Sequence, residues 1–160
     1  RNELRARATS PVAMASVLIV GSDHAGLELK RELASLATEL GYEVRDVGTH
    51  TSDSTDYPDY AHRVASAVAE GQGLGLLVCG TGIGMSMAAN RHPGVRAAVC
   101  GDVFSASMTR QHNDANVLCI GSRVVGGGLA GEILKAFLGA AFEGGRHERR
   151  VNKIELSDEG

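Results

Sequence analysis

Leu74-Gly75-Leu76-Leu77-Val78-Cys79-Gly80-Thr81-Gly82-Ile83-Gly84 joins a short apolar run to a glycine loop, and Met85-Ser86-Met87-Ala88-Ala89-Asn90 continues it as a helical segment. Strand, loop and helix in that order form the repeating unit of an α/β sheet, in which a buried strand delivers Cys79 to its carboxyl end. The three glycines let backbone N–H groups turn toward that position, with a helix N-terminus behind them, an arrangement suited to a developing anion. Spacing excludes the better-known phosphate loops. The dinucleotide fingerprint needs glycines at steps of two and three, and Met85 stands where its third glycine should be. A P-loop needs Gly-Lys-Ser/Thr, whereas this loop reads Gly84-Met85-Ser86. A cysteine phosphatase loop would carry an arginine at position 85, which is again Met85.

On either side the same alternation recurs. Val17-Leu18-Ile19-Val20 reads as a strand, and Leu29, Leu33, Leu36 and Leu40 mark one face of a helix closed by Gly41. Residues 43–47 read as a second strand, Gly48 to Asp56 as a polar loop, and Pro58 as the first turn of a helix bearing Ala61, Val64, Ala65 and Val68. Residues 95–99 predict a fourth strand, 103–111 a helix, 117–120 a fifth strand, and Leu129, Ile133 and Phe137 a last core helix. This rhythm predicts a Rossmann-like three-layer α/β/α sandwich around a five-stranded parallel sheet. Its carboxyl edge collects Asp23-His24, Cys79-Gly80-Thr81, Gly101-Asp102 and Ser122-Arg123. His112-Asn113-Asp114 falls in the turn before the fifth strand, at the opposite end of the sheet. Its use in one site with Cys79 requires a second subunit.

Composition narrows the function classes. With 160 residues, 43% hydrophobic and 22% charged, the chain reads as one globular domain over residues 16–160, able to bury roughly two-thirds of its unfolded surface. Residues 1–15, with three arginines and no apolar periodicity, read as a flexible leader or expression remnant. A net charge of −3 and only three Tyr and three Phe argue against nucleic acid as a partner. The three cysteines form no CxxC pair, which speaks against a disulfide framework or structural zinc and for a cytoplasmic protein. No apolar run approaches the roughly 20 residues of a membrane span.

Five motifs carry a resemblance. Ser22-Asp23-His24-Ala25-Gly26, Thr55-Asp56-Tyr57-Pro58, Cys79-Gly80-Thr81-Gly82-Ile83-Gly84 with Ala88-Ala89-Asn90, residues 110–118 (Arg-Gln-His-Asn-Asp-Ala-Asn-Val-Leu), and Gly144-Gly145-Arg146-His147 occur in that order between about Val17 and Lys153. Together they closely resemble the type B ribose-5-phosphate isomerases, a family that also holds galactose-6-phosphate isomerase subunits and isomerases of other phosphorylated sugars. The resemblance implies a metal-independent interconversion of ribose 5-phosphate and ribulose 5-phosphate through a cis-enediolate, with no cofactor. Such chemistry needs one base poised near neutral pH. Cys79 matches the family's base position; members that use a glutamate further along the loop have it where this chain has Met85. The N–H groups of Gly80, Gly82, Ile83 and Gly84 would stabilise the enediolate oxygen. His112, assisted by Asp23, matches the pair that opens the furanose ring, with Thr81 relaying protons and Asn113 holding the intermediate. His24, Arg123, Arg146, His147 and Arg150 match the phosphate-binding set, and Tyr57 could line the pocket. The resemblance further implies a homodimer with shared sites and the C-terminal tail reaching the partner, with dimer and tetramer both left open.

Each residue also has a plainer reading. Cys79 could be core, as Cys100 and Cys119 are expected to be; Asp23 could cap the helix beginning near Ala25; His112 could be a capping group; and Arg146, Arg149 and Arg150 could be a solvated charge run, with Arg149 facing solvent. His50, His62 and His92 read as surface residues. An isomerase of galactose, allose or tetrose phosphates, or a non-catalytic sugar-phosphate-binding subunit, are the competing functions, with a redox role for Cys79 a distant third.

Overall fold

The structure, a computed structural model, describes residues 16–157, so the reading of residues 1–15 as a leader lies outside the described residues. Strands β1 (Val17–Ser22), β2 (Glu43–Asp46), β3 (Leu74–Cys79), β4 (Ala97–Val99) and β5 (Val117–Gly121) form one sheet in the order β2-β1-β3-β5-β4. Every pairing is parallel. The connecting helices are α1 (Leu27–Glu39), α2 (Tyr57–Ala69), α3 (Ile83–Ala89), α4 (Val103–Asn113), α5 (Gly127–Gly139) and α6 (Arg146–Val151), with a 3-10 turn at His24–Gly26. Among the described residues no helix is long and apolar enough to cross a membrane.

Side chains alternating along the strands build two cores. Leu18, Val20, Leu76, Val78, Leu118 and Ile120 pack with α1, α4 and α5. Ile19, Leu77, Cys79, Val117 and Cys119 pack with α2 and α3. The period of two therefore sends Cys79 to the α2/α3 face, beside the fully buried Met85. This is the three-layer architecture expected, and the strand order reverses between β1 and β3, where open parallel sheets bind their ligands.

Several local expectations are corrected. β4 begins at Ala97 because the backbone before it is held by side chains and a turn: Arg96 N–H donates to Asn116 Oδ1 (2.7 Å), Ala97 N–H to Asn90 Oδ1 (2.8 Å) and Val95 N–H to the His92 carbonyl (3.1 Å). α4 runs to Asn113, so His112 and Asn113 sit on its last turn instead of in a loop. Leu40 and Leu129 are exposed, the first because it falls on the C-cap of α1, the second because Ala130, Ile133, Leu134 and Phe137 form the buried face of α5. The fully buried polar group on α1 is Lys30, which the leucine periodicity did not reveal.

The strand ends approach so closely that glycine is required for space. A Cβ at Gly26 would overlap the Val78 carbonyl oxygen, and one at Gly121 would lie 2.7 Å from the Thr81 backbone. Gly94 is glycine for another reason: it has φ +82° with open space around it. Gly94→Ala is expected to cost about 1 kcal/mol, from conformation alone. Gly26→Ala should cost about 3 kcal/mol, because backbone must move. Urea unfolding of the two variants checks the ranking; equal losses would refute the close-approach argument.

Candidate active site

Three strand ends meet at the carboxyl edge. After β1, Asp23 Oδ1 accepts the Gly26 N–H (3.1 Å), capping the 3-10 turn, while Asp23 N–H reaches the Val78 carbonyl (3.3 Å). His24 is held by a reciprocal pair: its N–H donates to Thr55 Oγ1 and its Nδ1 accepts the Thr55 N–H, both at 3.1 Å. An Nδ1 that accepts leaves the neutral ring's proton on Nε2. After β5, Ser122 N–H donates to the Cys79 carbonyl (2.9 Å), Arg123 N–H to the Gly80 carbonyl (3.0 Å) and Ser122 Oγ to the Ala25 carbonyl (2.9 Å). β1, β3 and β5 are thus tied together where their side chains converge.

The glycine loop sits inside this frame. Cys79 is buried, and its Sγ accepts the N–H of Gly82 at 3.1 Å. Gly82 can aim that N–H inward because its φ is +78° and because it lies against the Ile120–Gly121 backbone without a side chain. Ile83 N–H donates to Thr81 Oγ1 at 3.3 Å. Two of the loop's N–H groups therefore serve the thiol and the threonine hydroxyl, where the sequence had suggested that all would face an enediolate oxygen. Arg123 lies over Gly80, where a Cβ would come within 3.6 Å of its Cδ and Nη1. The Tyr57 ring lies on Gly84, where a Cβ would come within 2.6 Å of it. The remaining thiols are different in kind: burial and then the Asp102 carboxylate push Cys100 up to about 11, and complete burial raises Cys119 as well, so both are inert core groups.

A second cluster forms at the other end of the sheet. Asp114 adopts a left-handed conformation (φ 47°) as the C-cap of α4, with its N–H on the Thr109 carbonyl. Its carboxylate takes Arg110 (3.0 Å) and Arg96 (3.4 Å), which locks the turn and presents His112 and Asn113. His112 stacks on His147 of α6 with ring centroids 4.3 Å apart and planes 9° apart. Glu143 N–H donates to the Gln111 carbonyl (3.1 Å), and its carboxylate lies 3.8 Å from His147 Nε2. Burial, then His112 and Arg146, hold His147 below the ordinary histidine range, with Glu143 opposing and Arg150 adding to the effect. A cavity of about 340 Å³ is lined by His112, Asn113, His147, Arg150, Val151 and Ile154.

Ligand-type atoms of His112, Glu143 and His147 lie within 4.8 Å of one another. Nearly parallel stacked imidazoles keep their in-plane lone pairs in two separate, nearly parallel planes that do not meet at one ion, and the neighbouring arginines favour an anion. The site residues read from the sequence thus fall into two groups. Asp23, His24, Tyr57, Cys79, the loop residues and Arg123 meet at the carboxyl edge. His112, Asn113, Arg146, His147 and Arg150 meet at the opposite edge, separated by the length of β5, about 16 Å. Asp23 and His112 are not brought together within one chain.

Residues 18–154 match the model of the family described as Ribose/Galactose Isomerase. The chain belongs to the ribose/galactose isomerase family. It is 55% identical over 135 residues to ribose-5-phosphate isomerase B of Escherichia coli K12, covering 84% of this chain and 91% of that protein. A ribose-5-phosphate isomerase B structure from Clostridium thermocellum matches with a TM-score of 0.85 at 52% identity, covering 86% of this chain and 94% of that one. The Mycoplasma genitalium ribose-5-phosphate isomerase B, whose structure holds ribulose-5-phosphate, matches with a TM-score of 0.85 at 43% identity over 88% of this chain and 95% of that one.

In this member of the ribose/galactose isomerase family, sequence reasoning missed three residues beside the clusters. Thr55 lay in a quoted motif without a role, Glu143 preceded the glycine pair, and Lys30 was hidden within a helical face. His92 is partly exposed, and its Nε2 lies 2.7 Å from Nδ1 of the exposed His62. Burial, then His62, hold it below the usual range.

The lowered His147 has a definite sign. A histidine depressed in the folded state contributes stability above its unfolded value near 6.5, and that contribution is lost as pH falls through the folded value. The NMR titration of His147 is expected to have its midpoint below 6.5. His147→Gln should lose less stability between pH 7 and pH 5 than the parent chain. A midpoint at or above 6.5 would refute the assignment.

Proposed function

We propose that this chain interconverts ribose 5-phosphate and ribulose 5-phosphate, with Cys79 as the base. The observation that carries the reading is the match, over most of both chains, to a structure that holds ribulose-5-phosphate. In the open-chain aldose, the Cys79 thiolate takes the proton from C2 and the electron pair left behind passes to the C1 carbonyl oxygen, giving a cis-enediolate. The C2 hydroxyl proton then passes to the C1 oxygen, and the thiol returns its proton to C1, leaving the ketose and the thiolate. Thr81, whose hydroxyl is oriented by the Ile83 N–H, relays protons between the two sugar oxygens. The Gly82 N–H aimed at Sγ stabilises the thiolate before the first transfer and after the second. Met85 fills the core and offers no competing base.

His112 opens the furanose ring, Asn113 holds the intermediate, and His24, Arg123, Arg146, His147 and Arg150 bind the phosphate in this reading. Asp23 orients His112 across a subunit boundary. The active unit is then a homodimer in which the carboxyl edge of one chain meets the α4–α6 end of the other. Two features support this: the separation of the clusters within one chain, and the apolar surface left exposed near the first cluster by Ile83, Met87, Val103, Phe104 and Val124. The reaction needs no metal or cofactor and suits a cytoplasmic setting.

Turnover of ribose 5-phosphate by the purified protein should persist in EDTA and fall at least a thousandfold in Cys79→Ala. Galactose, allose and erythrose phosphates assayed in parallel test the substrate, and preferential turnover of one of them would replace ribose in the proposal. Subunit sharing has its own test. Cys79→Ala and His112→Ala chains, each inactive alone, are co-refolded so that half of the dimers are mixed. Each mixed dimer keeps one intact site, so about one quarter of parental activity should return. No recovery from demonstrated heterodimers would mean that the site lies within one chain.

A further inference from the structure

Lys30 is the largest charged side chain in the core and is fully buried on α1. Burying an ammonium is costly unless it is paired and hydrogen-bonded. Its Nζ donates to Asp46 Oδ1 (2.8 Å) and to the Thr49 carbonyl. The same Asp46 oxygen accepts the Gly48 N–H (2.9 Å), so one ammonium and one carboxylate hold the start of the β2–α2 loop. Backbone bonds fasten that start to the end of β1: Ser22 N–H reaches the Gly48 carbonyl (2.8 Å) and Thr49 N–H the Ser22 carbonyl (2.7 Å).

From this anchor the loop runs through a series of side-chain turns. Thr49 Oγ1 accepts the Thr51 N–H (3.3 Å), and Thr51 Oγ1 accepts the Asp53 N–H (3.1 Å). Two residues further on, Thr55 makes its reciprocal pair with His24. We infer that Lys30 is a positioning residue, anchoring the β2–α2 loop so that Thr55 holds His24 with its proton on Nε2 as a donor to substrate phosphate. The inference rests on the proposed function for the phosphate role of His24. The loop and tautomer part stands on the hydrogen bonds alone.

Lys30→Met keeps the volume and removes the charge. It should raise KM for ribose 5-phosphate about tenfold, the order of one hydrogen bond to a charged group, with kcat per folded enzyme within about threefold. Combined with His24→Ala it should add less than about twofold, whereas on Arg123→Ala its full effect should remain. Asp46→Asn, which keeps an acceptor for Gly48, provides the same readout with a smaller rise if Lys30→Met does not fold. The ¹⁵N spectrum of the His24 ring should report protonated Nε2 and accepting Nδ1 in the parent, and mixed tautomers in the foldable variant. An unchanged His24 spectrum, or a loss confined to stability and kcat at constant KM, would overturn the inference. Absence of pentose phosphate turnover in the parent would overturn the proposed function instead, and the ring spectrum would still decide the role of Lys30.

Discussion

The rest of the structure depends on backbone-to-backbone approach at three strand ends. Gly26 lies on the Val78 carbonyl, Gly82 on the Ile120–Gly121 peptide, and Gly121 on Thr81. A Cβ would overlap backbone at Gly26 and Gly121 and be tight at Gly82, so β1, β3 and β5 meet through main chain. Main chain varies in position less than side chains do, and a sulfur at the end of β3 inherits that precision. The N–H that reaches Sγ belongs to a residue whose left-handed conformation is natural only for glycine. The loop is thus shaped by packing and chemistry together, and its glycines divide between the two. Gly84 makes room for the Tyr57 ring, while a Cβ at Gly80 would only touch Arg123 at ordinary contact distance.

Much of this was legible in the sequence because strand and helix periods are set by burial. The alternation in Leu76-Leu77-Val78-Cys79 assigns side chains to opposite cores, and the two core clusters divide those four residues accordingly. The polar residues following each strand followed from parallel topology alone. Other features had no periodic signal. α6 is six residues long, has no buried residue, and follows two glycines with positive φ, so neither apolar pattern nor cap announced it. Lys30 sits between Leu29 and Leu33 where a lysine normally faces solvent, and its partners are 16 and 19 residues away. The short β4 was overextended because Asn90 and Asn116 imitate a neighbouring strand with their side-chain amides, which an apolar run cannot reveal.

The polarity of a parallel sheet explains why one chain divides its polar residues between two ends. Residues following strands collect at one edge and residues preceding them at the other, and no local rearrangement of five strands exchanges the two. His112 and Asn113 are fixed at the far edge by Asp114, whose carboxylate neutralises Arg96 and Arg110 while its backbone closes α4. A site that draws on both edges is therefore a matter of association between chains, and its geometry is set by how rigidly each edge is built. Both are rigid for the same reason: the polar groups that define them are held by partners from other elements.

Charge pairing separates the arginines that hold structure from those that do not. Arg96 and Arg110 each have a carboxylate and a backbone carbonyl, and Arg110 also lies over the Phe137 ring. Among the described residues, Arg31, Arg63, Arg91, Arg123, Arg146, Arg149 and Arg150 form no ion pair, although the chain carries a net charge of −3. Of these, Arg123, Arg146 and Arg150 are the ones whose hydrogen-bonding forks the proposed reading gives to the substrate phosphate. Surface pairs would have contributed little stability in any case, so little is lost by leaving them open. His147 fits the same pattern. Burial, then His112 and Arg146, hold it below its usual range, which favours the neutral ring, and in the proposed reading the guanidinium groups supply the charge.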